Sequence, residues 1–472
     1  MESPAEHLAV VEYRCPGESY SISRQVHLGR LATFYPPCHG CPHRHDTGVL
    51  STRSVVLLQR ASGHASCNAE FSREGVEGVY QNQITPHLVR DLGAALGLYL
   101  RQRNARANGA AAAPAVVLAG DDRACTPELV AAAGEGLRLC GCRVVEIAPA
   151  TSACLVAAIA ARDADGGLLI GNASSRAANV GIKFWGAGGR PLSAPGELDG
   201  VRAIWQAGVD RPTRSYGGLE RFDAQSLYLA GLREHFHALR PLRFVLATSS
   251  GPLLGYLRTL LATTACEVLP VNAFVVTRFI GSDESCPVPS TSPDPMNRVT
   301  TSALAQAVRS RQAHFGLWID GDGETCRAVD EQGREVAAES LIVLLAKHPV
   351  STRDLNPTPH YGAIPRGTSD EVIKPANNTS GRPIVEPMST REHVHRTLRE
   401  SGEMIGGGTM AGDAAVGGNR GLIAFGDRPG AGDALRALAL LLTTLSAGDR
   451  PLSAVVDDGL HELRPTSGAR SA

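Results

Sequence analysis

Hydrophobic positions along this chain occur in two alternating patterns. Short apolar runs, such as PAVVLAG at 114–120 and GGLLIG at 166–171, predict buried strands. Between them, the stretch at 126–139 repeats its apolar residues about every three to four positions, which predicts a helix. Strands that alternate with helices at this spacing predict an α/β fold with mostly parallel sheets.

The first α/β unit has helix starts that local chemistry marks. Thr85-Pro86 and Thr126-Pro127 each place a capping hydroxyl before proline, so we expect helices to begin there. A further strand is predicted at 143–148 and a helix at 152–165.

The alternation of strands and helices then restarts near residue 222. The predicted elements of this second unit are a helix at 224–236, a strand at 243–248, a helix at 252–264, a strand at 266–271, a helix at 300–311 and a strand that ends at Ile319.

A third unit begins near residue 338 and is less regular. A loop-rich stretch at 349–387 precedes a predicted helix at 390–401, a glycine-rich stretch at 406–421, a strand at 421–425 and a helix at 430–446. The predicted organisation is therefore an N-terminal segment at 1–68, three α/β domains at 69–212, 213–336 and 337–457, and a short polar tail at 458–472.

Composition and charge exclude several functional classes. The 472 residues are 43% hydrophobic, which supports real cores, and the net charge of −1 gives no global field for nucleic acid or an anionic membrane. No apolar run is long enough to span a bilayer, and the N-terminus lacks a signal-peptide pattern. We therefore expect a cytoplasmic protein, without nucleic-acid or membrane partners, whose thiols are reduced.

The best chemical signal is LWIDGDGET at 317–325. Asp320, Asp322 and Glu324 alternate with glycines directly after an apolar run, which predicts a tight turn that places three carboxylates together. Oxygen ligands in a compact loop suit Mg²⁺. An EF-hand spaces its acids similarly, but Thr325 replaces its turn glycine and a strand precedes the loop. A solvated acidic turn is the remaining alternative.

The N-terminal segment contains a second candidate metal site. Cys38 and Cys41 form a Cys-x-x-Cys turn, and Cys15 with His45 would complete a tetrahedral zinc site. The alternative is a pair of surface thiols on a loop. A redox role is less favoured because no βαβ pattern surrounds the pair.

Three α/β units with an Asp-Gly-Asp-Gly loop in the second resemble the α-D-phosphohexomutases, a family that includes phosphoglucomutase and phosphomannomutase. The resemblance covers about residues 70–457 and is strongest in the first two units, where the matching motifs occur in order. Asp121 and Arg123 match a strand–Asp-x-Arg–helix segment, GIK at 181–183 follows the phosphoserine loop, and 320–324 match the metal loop. The resemblance implies three tandem phosphohexomutase-type α/β/α domains, here with an extra N-terminal Cys/His segment and no complete fourth domain.

The resemblance also implies a reaction. A loop serine carries a phosphoryl group, passes it to a hexose phosphate and regains the sugar's original group through a hexose bisphosphate. Mg²⁺ on the acidic loop would absorb charge, with Arg123 and Lys183 as catalytic basic groups. Ungapped spacing puts Ala173 at the nucleophile position, whereas a one-residue shift puts Ser174 there. Because alanine cannot carry a phosphoryl group, Ser174 is the candidate nucleophile.

Departures from the family pattern leave two functions open. The family's first motif ends Gly-Ile-Arg-Gly, but here an acid, Glu77, replaces the arginine, and the sugar-reading Gly-Glu-x-Ser-Gly-His is not present. One interpretation is a phosphohexomutase active in carbohydrate metabolism. The alternative is a catalytically inactive homologue that binds a phosphosugar or a protein partner.

Overall fold

The computed structural model describes residues 13–32, 35, 38, 41–51, 54–55, 70–108, 113–171, 179–209, 213–272, 298–345, 384–386, 415–418, 422–425 and 430–463. The strands are β1 (Glu70–Phe71), β2 (Gly75–Val79), β3 (Ala115–Gly120), β4 (Arg143–Ile147), β5 (Gly166–Gly171), β6 (Asn179–Gly186), β7 (Leu219–Phe222), β8 (Arg243–Thr248), β9 (Glu267–Asn272), β10 (Phe315–Ile319), β11 (Cys326–Asp330), β12 (Glu335–Val336), β13 (Ile384–Glu386), β14 (Ala415–Gly418) and β15 (Ile423–Phe425). The α-helices are α1 (Arg24–Ala32), α2 (Pro86–Asn108), α3 (Thr126–Leu139), α4 (Ser152–Ala161), α5 (Glu197–Ala207), α6 (Ala224–Ala230), α7 (Gly251–Leu261), α8 (Arg298–Ser310), α9 (Ala338–Leu345), α10 (Ala434–Ser446) and α11 (Leu452–Leu463).

The strands form three mixed sheets. The first has the order β1-β2-β6-β5-β3-β4-β7, and β5, β3, β4 and β7 are parallel while β6, β2 and β1 continue it in antiparallel pairs. The second, β12-β11-β10-β8-β9, also joins a parallel half to an antiparallel hairpin edge. The third has the order β13-β14-β15. The prediction of mostly parallel sheets was therefore wrong at one side of each of the first two sheets, where the strands are antiparallel. Hairpins such as β1–β2 and β10–β11 lie there, and so does the β2–β6 pair, whose strands are distant in sequence.

The core follows from the alternation of side chains along the central strands. On β3, Val116 and Leu118 pack into one hydrophobic cluster with α2 and α3, whereas Val117 and Ala119 pack into another. Successive residues of a strand point to opposite faces, so an apolar run covers both sides of the sheet. The second cluster also contains residues of β8, β10, β15 and α10, and it therefore joins all three sheets.

Several predicted elements are confirmed, and some boundaries differ. The strands predicted at 166–171 and 243–248 match β5 and β8. The helix predicted at 224–236 ends at Ala230, and a separate 3-10 turn follows at Arg233–Phe236. The helix predicted at 152–165 ends at Ala161, and Asp163 has a positive φ of 45°, which an α-helix cannot accommodate.

The C-terminal part differs most from the expectation. Helix α11 crosses the predicted boundary between the third unit and the tail at residue 457 and continues to Leu463. The predicted helix at 390–401 lies outside the described residues, as do most of the stretches at 349–387 and 406–421. Within the described part of the chain, we find no helix with the length and apolar character needed to cross a membrane.

Candidate active site

The acidic loop connects β10 to β11 as a tight hairpin. Ile319 pairs with Cys326 at its base, and Gly323 has a φ of 78°, a conformation that favours glycine. The Asp320 carboxylate accepts backbone N–H bonds from Glu324 at 2.9 Å and Thr325 at 3.1 Å. Asp320 therefore closes the turn with its own side chain.

The pKa of Asp320 is raised well above its ordinary value. Burial is the main cause and the negative charge of Asp322 is the second, while the Lys183 ammonium acts in the opposite direction. Loss of water disfavours the ionised carboxylate, and a neighbouring carboxylate adds repulsion. The neutral form of the Asp320 carboxyl group is therefore favoured over a wider pH range than in water.

Lys183 supplies positive charge to this loop from the first sheet. It lies on β6 opposite Leu169 of β5, and its ammonium donates to Asp322 and, at 3.1 Å, to Glu324 Oε2. All three side chains are buried. A buried charge is tolerated when it is paired and hydrogen-bonded, and this lysine therefore links the sheet of β6 to the loop after β10.

Two helices from other parts of the chain fix the backbone of the loop. At the start of α4, the Ser152 N–H donates to the Asp322 carbonyl at 2.9 Å. At the start of α10, the Ala434 N–H donates to the Gly323 carbonyl at 3.0 Å. The first N–H groups of a helix lack partners within the helix, so both contacts satisfy groups that would otherwise be unpaired.

A second charged pair lies at the end of β3. Asp121 accepts from the Arg123 backbone N–H at 3.1 Å, from Arg123 Nε at 2.7 Å and from the Thr126 hydroxyl. Thr126 is the first residue of α3. The N-cap position is occupied by Cys125, whose side chain makes no capping hydrogen bond. The predicted capping role of Thr126 was wrong because its hydroxyl binds Asp121.

The same pair borders the segment that contains Ser174. That segment, 172–178, lies outside the described residues, together with Ala173. Its two flanks are described: Gly171, with a φ of 142°, packs directly against the Asp121 carboxylate, and the Asn179 carbonyl accepts from Arg123 Nη1 at 2.7 Å. Asp121 and Arg123 therefore hold both ends of the segment.

Arg123 also has a donor left over. Its second terminal nitrogen, Nη2, is buried and has no hydrogen-bond partner among the described residues. A buried N–H donor without a partner is costly, and an anion such as a phosphoryl group is a suitable acceptor for a guanidinium nitrogen. The Arg123 side chain thus has both a positioning contact and free binding capacity beside the Ser174 segment.

The donor set of the acidic loop suits Mg²⁺, because all three predicted ligands are carboxylates. Asp320 is committed to the turn, and Asp322 and Glu324 contact Lys183. In the described ranges, no three Asp, Glu, His or Cys side chains have the arrangement of a formed metal site. The donors fit the ion, and the lysine contact is the part of the arrangement that would have to change.

Glu77 faces the same side of the first sheet as Lys183. In the β2–β6 ladder, Gly75 pairs with Lys183 and Glu77 pairs with Gly181. Directly paired residues project to the same face, and residues two apart on one strand do so too. An acid therefore lies near the site where the family pattern has an arginine.

The N-terminal cysteines are buried, whereas their predicted partner is not. Cys15, Cys38 and Cys41 are withdrawn from water, but His45 is exposed and its Nε2 accepts from Arg44 at 3.0 Å. Burial, followed by the neighbouring thiols of Cys15 and Cys41, raises the pKa of Cys38 to about 11. The structure brings the thiols near one another, and the zinc site stays a prediction.

Sequence reasoning missed the counter-ion contact of Lys183 and the support from α4 and α10. One signal was available: Lys183 interrupts the apolar β6 strand, NVGIKFWG, and a lysine in such a run requires a buried acidic partner. The identity of that partner could not be predicted, because Asp322 and Lys183 are 139 positions apart.

Comparison with known proteins finds a family model that matches the first unit and relatives that are similar over most of the chain. A family model described as "Phosphoglucomutase/phosphomannomutase, alpha/beta/alpha domain I" matches residues 68–207. A phosphoglucosamine mutase of Burkholderia ambifaria is 27% identical over 401 residues, which cover 82% of this chain and 81% of that protein. A phosphoglucosamine mutase of Lacticaseibacillus casei is 27% identical over 344 residues, 71% of each chain.

Solved structures support the fold. A phosphoglucomutase/phosphomannomutase family protein from Burkholderia thailandensis has a TM-score of 0.60 at 20% identity, covering 82% of this chain and 80% of that one. Parafusin, a phosphoglucomutase from Paramecium, has a TM-score of 0.54 at 12% identity, covering 84% and 75%. With the matched domain model, these similarities support the resemblance of the chain to the α-D-phosphohexomutase family.

Proposed function

We propose that this protein is a Mg²⁺-assisted phosphohexomutase that moves a phosphoryl group between positions of a hexose phosphate. The observation that carries the proposal is one buried contact between a basic side chain and two acidic side chains. Lys183 of the first sheet contacts Asp322 and Glu324 in the loop of the second sheet, and the Asp121–Arg123 pair of the first sheet borders the Ser174 segment. Basic groups and metal-binding acids are used together in phosphoryl transfer to position the phosphoryl group and neutralise its charge.

Ser174 would be the phosphoryl carrier. In the forward step, the bond between Ser174 Oγ and phosphorus breaks, and a bond from a sugar hydroxyl oxygen to phosphorus forms. The sugar hydroxyl proton leaves to a base, and the released Ser174 Oγ takes up a proton. The reverse step, from the other position of the hexose bisphosphate, restores the phosphoserine. Atoms and charge balance over the two steps, so no other reactant is consumed.

Arg123 and Lys183 would bind and orient the group in transfer. The unpartnered Nη2 of Arg123 can donate to a phosphoryl oxygen while Nε and Nη1 hold Asp121 and Asn179. Asp320, Asp322 and Glu324 would hold Mg²⁺, which neutralises negative charge on the phosphoryl group when bound. Fixed donors of this kind stabilise a transition state without reorganising during the reaction.

The substrate class follows from the family and is narrowed by the relatives. Two of them are named phosphoglucosamine mutases, so we propose amino-hexose phosphates as the first substrates to test, followed by glucose and mannose phosphates. We also propose a cytoplasmic location and the predicted division into domains at 69–212, 213–336 and 337–457, which the three separate sheets support.

The second candidate function is a phosphosugar-binding or protein-interaction module without turnover. The observation that favours it is Glu77, an acid on the same sheet face as Lys183. A negative side chain in place of a basic one opposes the binding of a phosphate. In this case a phosphosugar would bind without transferring its phosphoryl group.

Intact-mass measurement separates the two functions. The protein is incubated with Mg²⁺ and glucose 1,6-bisphosphate beside a Ser174→Ala variant, with Ser175→Ala as the matched control. A gain of one phosphoryl group in the parent and in Ser175→Ala, but not in Ser174→Ala, supports the mutase. No gain in any of the three, with bisphosphate binding retained by calorimetry, supports the binding module.

A further inference from the structure

The acidic loop is neutralised by a group that belongs to the protein itself. Lys183 is 9% exposed, Asp322 is 5% exposed and Glu324 is 2% exposed, and the lysine ammonium donates to both carboxylates. Two carboxylates this deeply buried would be strongly destabilising without a positive partner. In the chain as it stands, that partner is the ammonium.

The residue type at this position is unusual for the chain. Of 46 basic residues, only three are lysines, at positions 183, 347 and 374, and the remainder are arginines. An ammonium is a compact point charge that fits between two carboxylates, whereas a guanidinium is a planar fork that prefers bidentate contact with one. Lysine is thus the side chain that most closely imitates a small cation at this position.

The lysine is held in place by its backbone. Lys183 lies in the middle of β6, paired with Gly75 of β2 on one side and with Leu169 of β5 on the other. Its Cα is therefore fixed by two neighbouring strands, and only the flexible side chain can move. The acidic loop is equally fixed, by the N–H groups of Ser152 and Ala434.

From this geometry we infer that Lys183 is a built-in counter-ion that competes with a divalent cation for Asp322 and Glu324. A divalent cation bound to the same two carboxylates would repel the ammonium at close range, so metal binding displaces the ammonium. The released ammonium, still anchored on β6, becomes available to an anionic ligand such as a phosphate. Binding of the metal to the carboxylates and release of the Lys183 ammonium are thereby coupled. The inference rests on the proposed function for the placement of the cation on this loop.

The competition is tested by measuring Mn²⁺ binding, with electron paramagnetic resonance of free Mn²⁺ as the readout. Lys183→Met removes the charge and keeps an unbranched apolar stem. We expect Lys183→Met to bind Mn²⁺ at least tenfold more tightly than the parent, which corresponds to about 1.4 kcal/mol of binding free energy. The control is Lys183→Met combined with Asp322→Asn, which should lose the gain. Equal affinity of the parent and Lys183→Met, or no Mn²⁺ binding by either, would overturn the inference.

A second measurement uses the unmodified chain, in case Lys183→Met does not fold. Amine acetylation followed by peptide mass spectrometry reports each of the three lysines separately, and Lys347 and Lys374 serve as internal references. We expect Lys183 to be acetylated slowly in chelator and several-fold faster with saturating Mg²⁺, relative to both references. An unchanged ratio would contradict displacement of the ammonium.

These readouts are independent of catalysis, so the two proposals can fail separately. If Ser174 becomes phosphorylated and Lys183→Met binds Mn²⁺ with the affinity of the parent, the mutase proposal is supported and the proposed competition is wrong. If Lys183→Met binds Mn²⁺ more tightly and no phosphoryl group reaches Ser174, the competition stands and the mutase is wrong.

Discussion

At the scale of single residues, the charged groups of the candidate site are matched to one another before any ligand binds. Asp121 is paired with Arg123, and Asp322 and Glu324 are paired with Lys183. Each pair also performs a second task, because one borders the Ser174 segment and the other joins two sheets. Substitutions at these positions should therefore change activity more than an exposed ion pair of similar length would.

Arg123→Ala should slow phosphoryl transfer to Ser174 by about 100-fold or more, because it removes both a phosphate donor and the contact to the Asn179 carbonyl. The rate of phosphoryl gain by intact mass is the measurement. Arg243→Ala is the matched control, since Arg243 forms an exposed pair with Glu267 on a different sheet. An unchanged rate of phosphoryl gain in Arg123→Ala would show that Arg123 has no role in phosphoryl transfer.

Asp320 should make the metal-free protein less stable as the pH rises. The pKa of Asp320 is raised in the folded protein, mainly by burial, whereas in the unfolded chain this carboxyl group ionises at about pH 4. Between these two pKa values the folded state binds more protons, so the free energy of unfolding falls with increasing pH. The parent should thus lose stability relative to Asp320→Asn between about pH 4 and the higher folded pKa, as measured by urea unfolding in chelator.

The control for that experiment has the opposite sign. Hydrogen bonds from Ser226 lower the pKa of Asp223, so its contribution is present above about pH 4 and is lost as the pH falls through the lower folded value. Asp223→Asn should not reproduce the trend of Asp320→Asn. A parent and Asp320→Asn pair with parallel pH profiles would show that Asp320 ionises normally in the fold.

At the scale of secondary structure, the start of α10 is a critical joint. Asp433 caps α10 by accepting from the Arg436 N–H at 2.9 Å, and it also accepts from the buried Tyr228 hydroxyl at 2.7 Å. The next residue, Ala434, donates to the acidic loop. Loss of the cap would therefore be felt in the core and in the candidate site together.

Asp433→Ala should lower the free energy of unfolding by about 2–4 kcal/mol, from a lost cap and an unpaired buried hydroxyl. Asp223→Ala is the matched control, because Asp223 caps α6 through Ser226 at the surface without a buried partner. The control should lose clearly less stability by chemical denaturation. Equal losses would mean that the Tyr228 contact contributes nothing.

The local hydrophobic pattern predicted which helices and strands occur better than it predicted where they begin and end. The apolar run RFVLAT matched β8 because a continuous buried strand needs no partner to be recognised. Helix α11 was missed since Asp457, Asp458 and Gly459 make its second half polar, and contact with the rest of the fold is absent from a sequence pattern. Thr126 was misassigned as a cap because a competing acceptor, Asp121, lies outside the local window.

The candidate site was predictable in composition and not in arrangement. Asp320, Asp322 and Glu324 occur in one short loop, so spacing alone identified them. Lys183 and the backbone support from Ser152 come from distant segments, and only the fold brings them to the loop.

At the scale of the whole molecule, one buried cluster connects the three sheets. Val117 of β3, Leu246 of β8, Ile423 of β15 and Leu438 of α10 belong to it. Units that share a core lose stability together when one is disrupted. Calorimetry should thus give one main transition whose calorimetric and van't Hoff enthalpies agree. Two well-separated transitions would mean that the units unfold independently.

The most direct test of the central claim is whether the protein moves a phosphoryl group within a hexose phosphate. Purified protein with Mg²⁺ and a trace of hexose 1,6-bisphosphate is incubated with glucosamine 6-phosphate, and then with the glucose and mannose 6-phosphates, and followed by ³¹P nuclear magnetic resonance. We predict that a sugar 1-phosphate signal appears with at least one substrate and is absent with Ser174→Ala. Unchanged 6-phosphate spectra with all three sugars, from protein that is folded and binds the bisphosphate, would contradict the mutase.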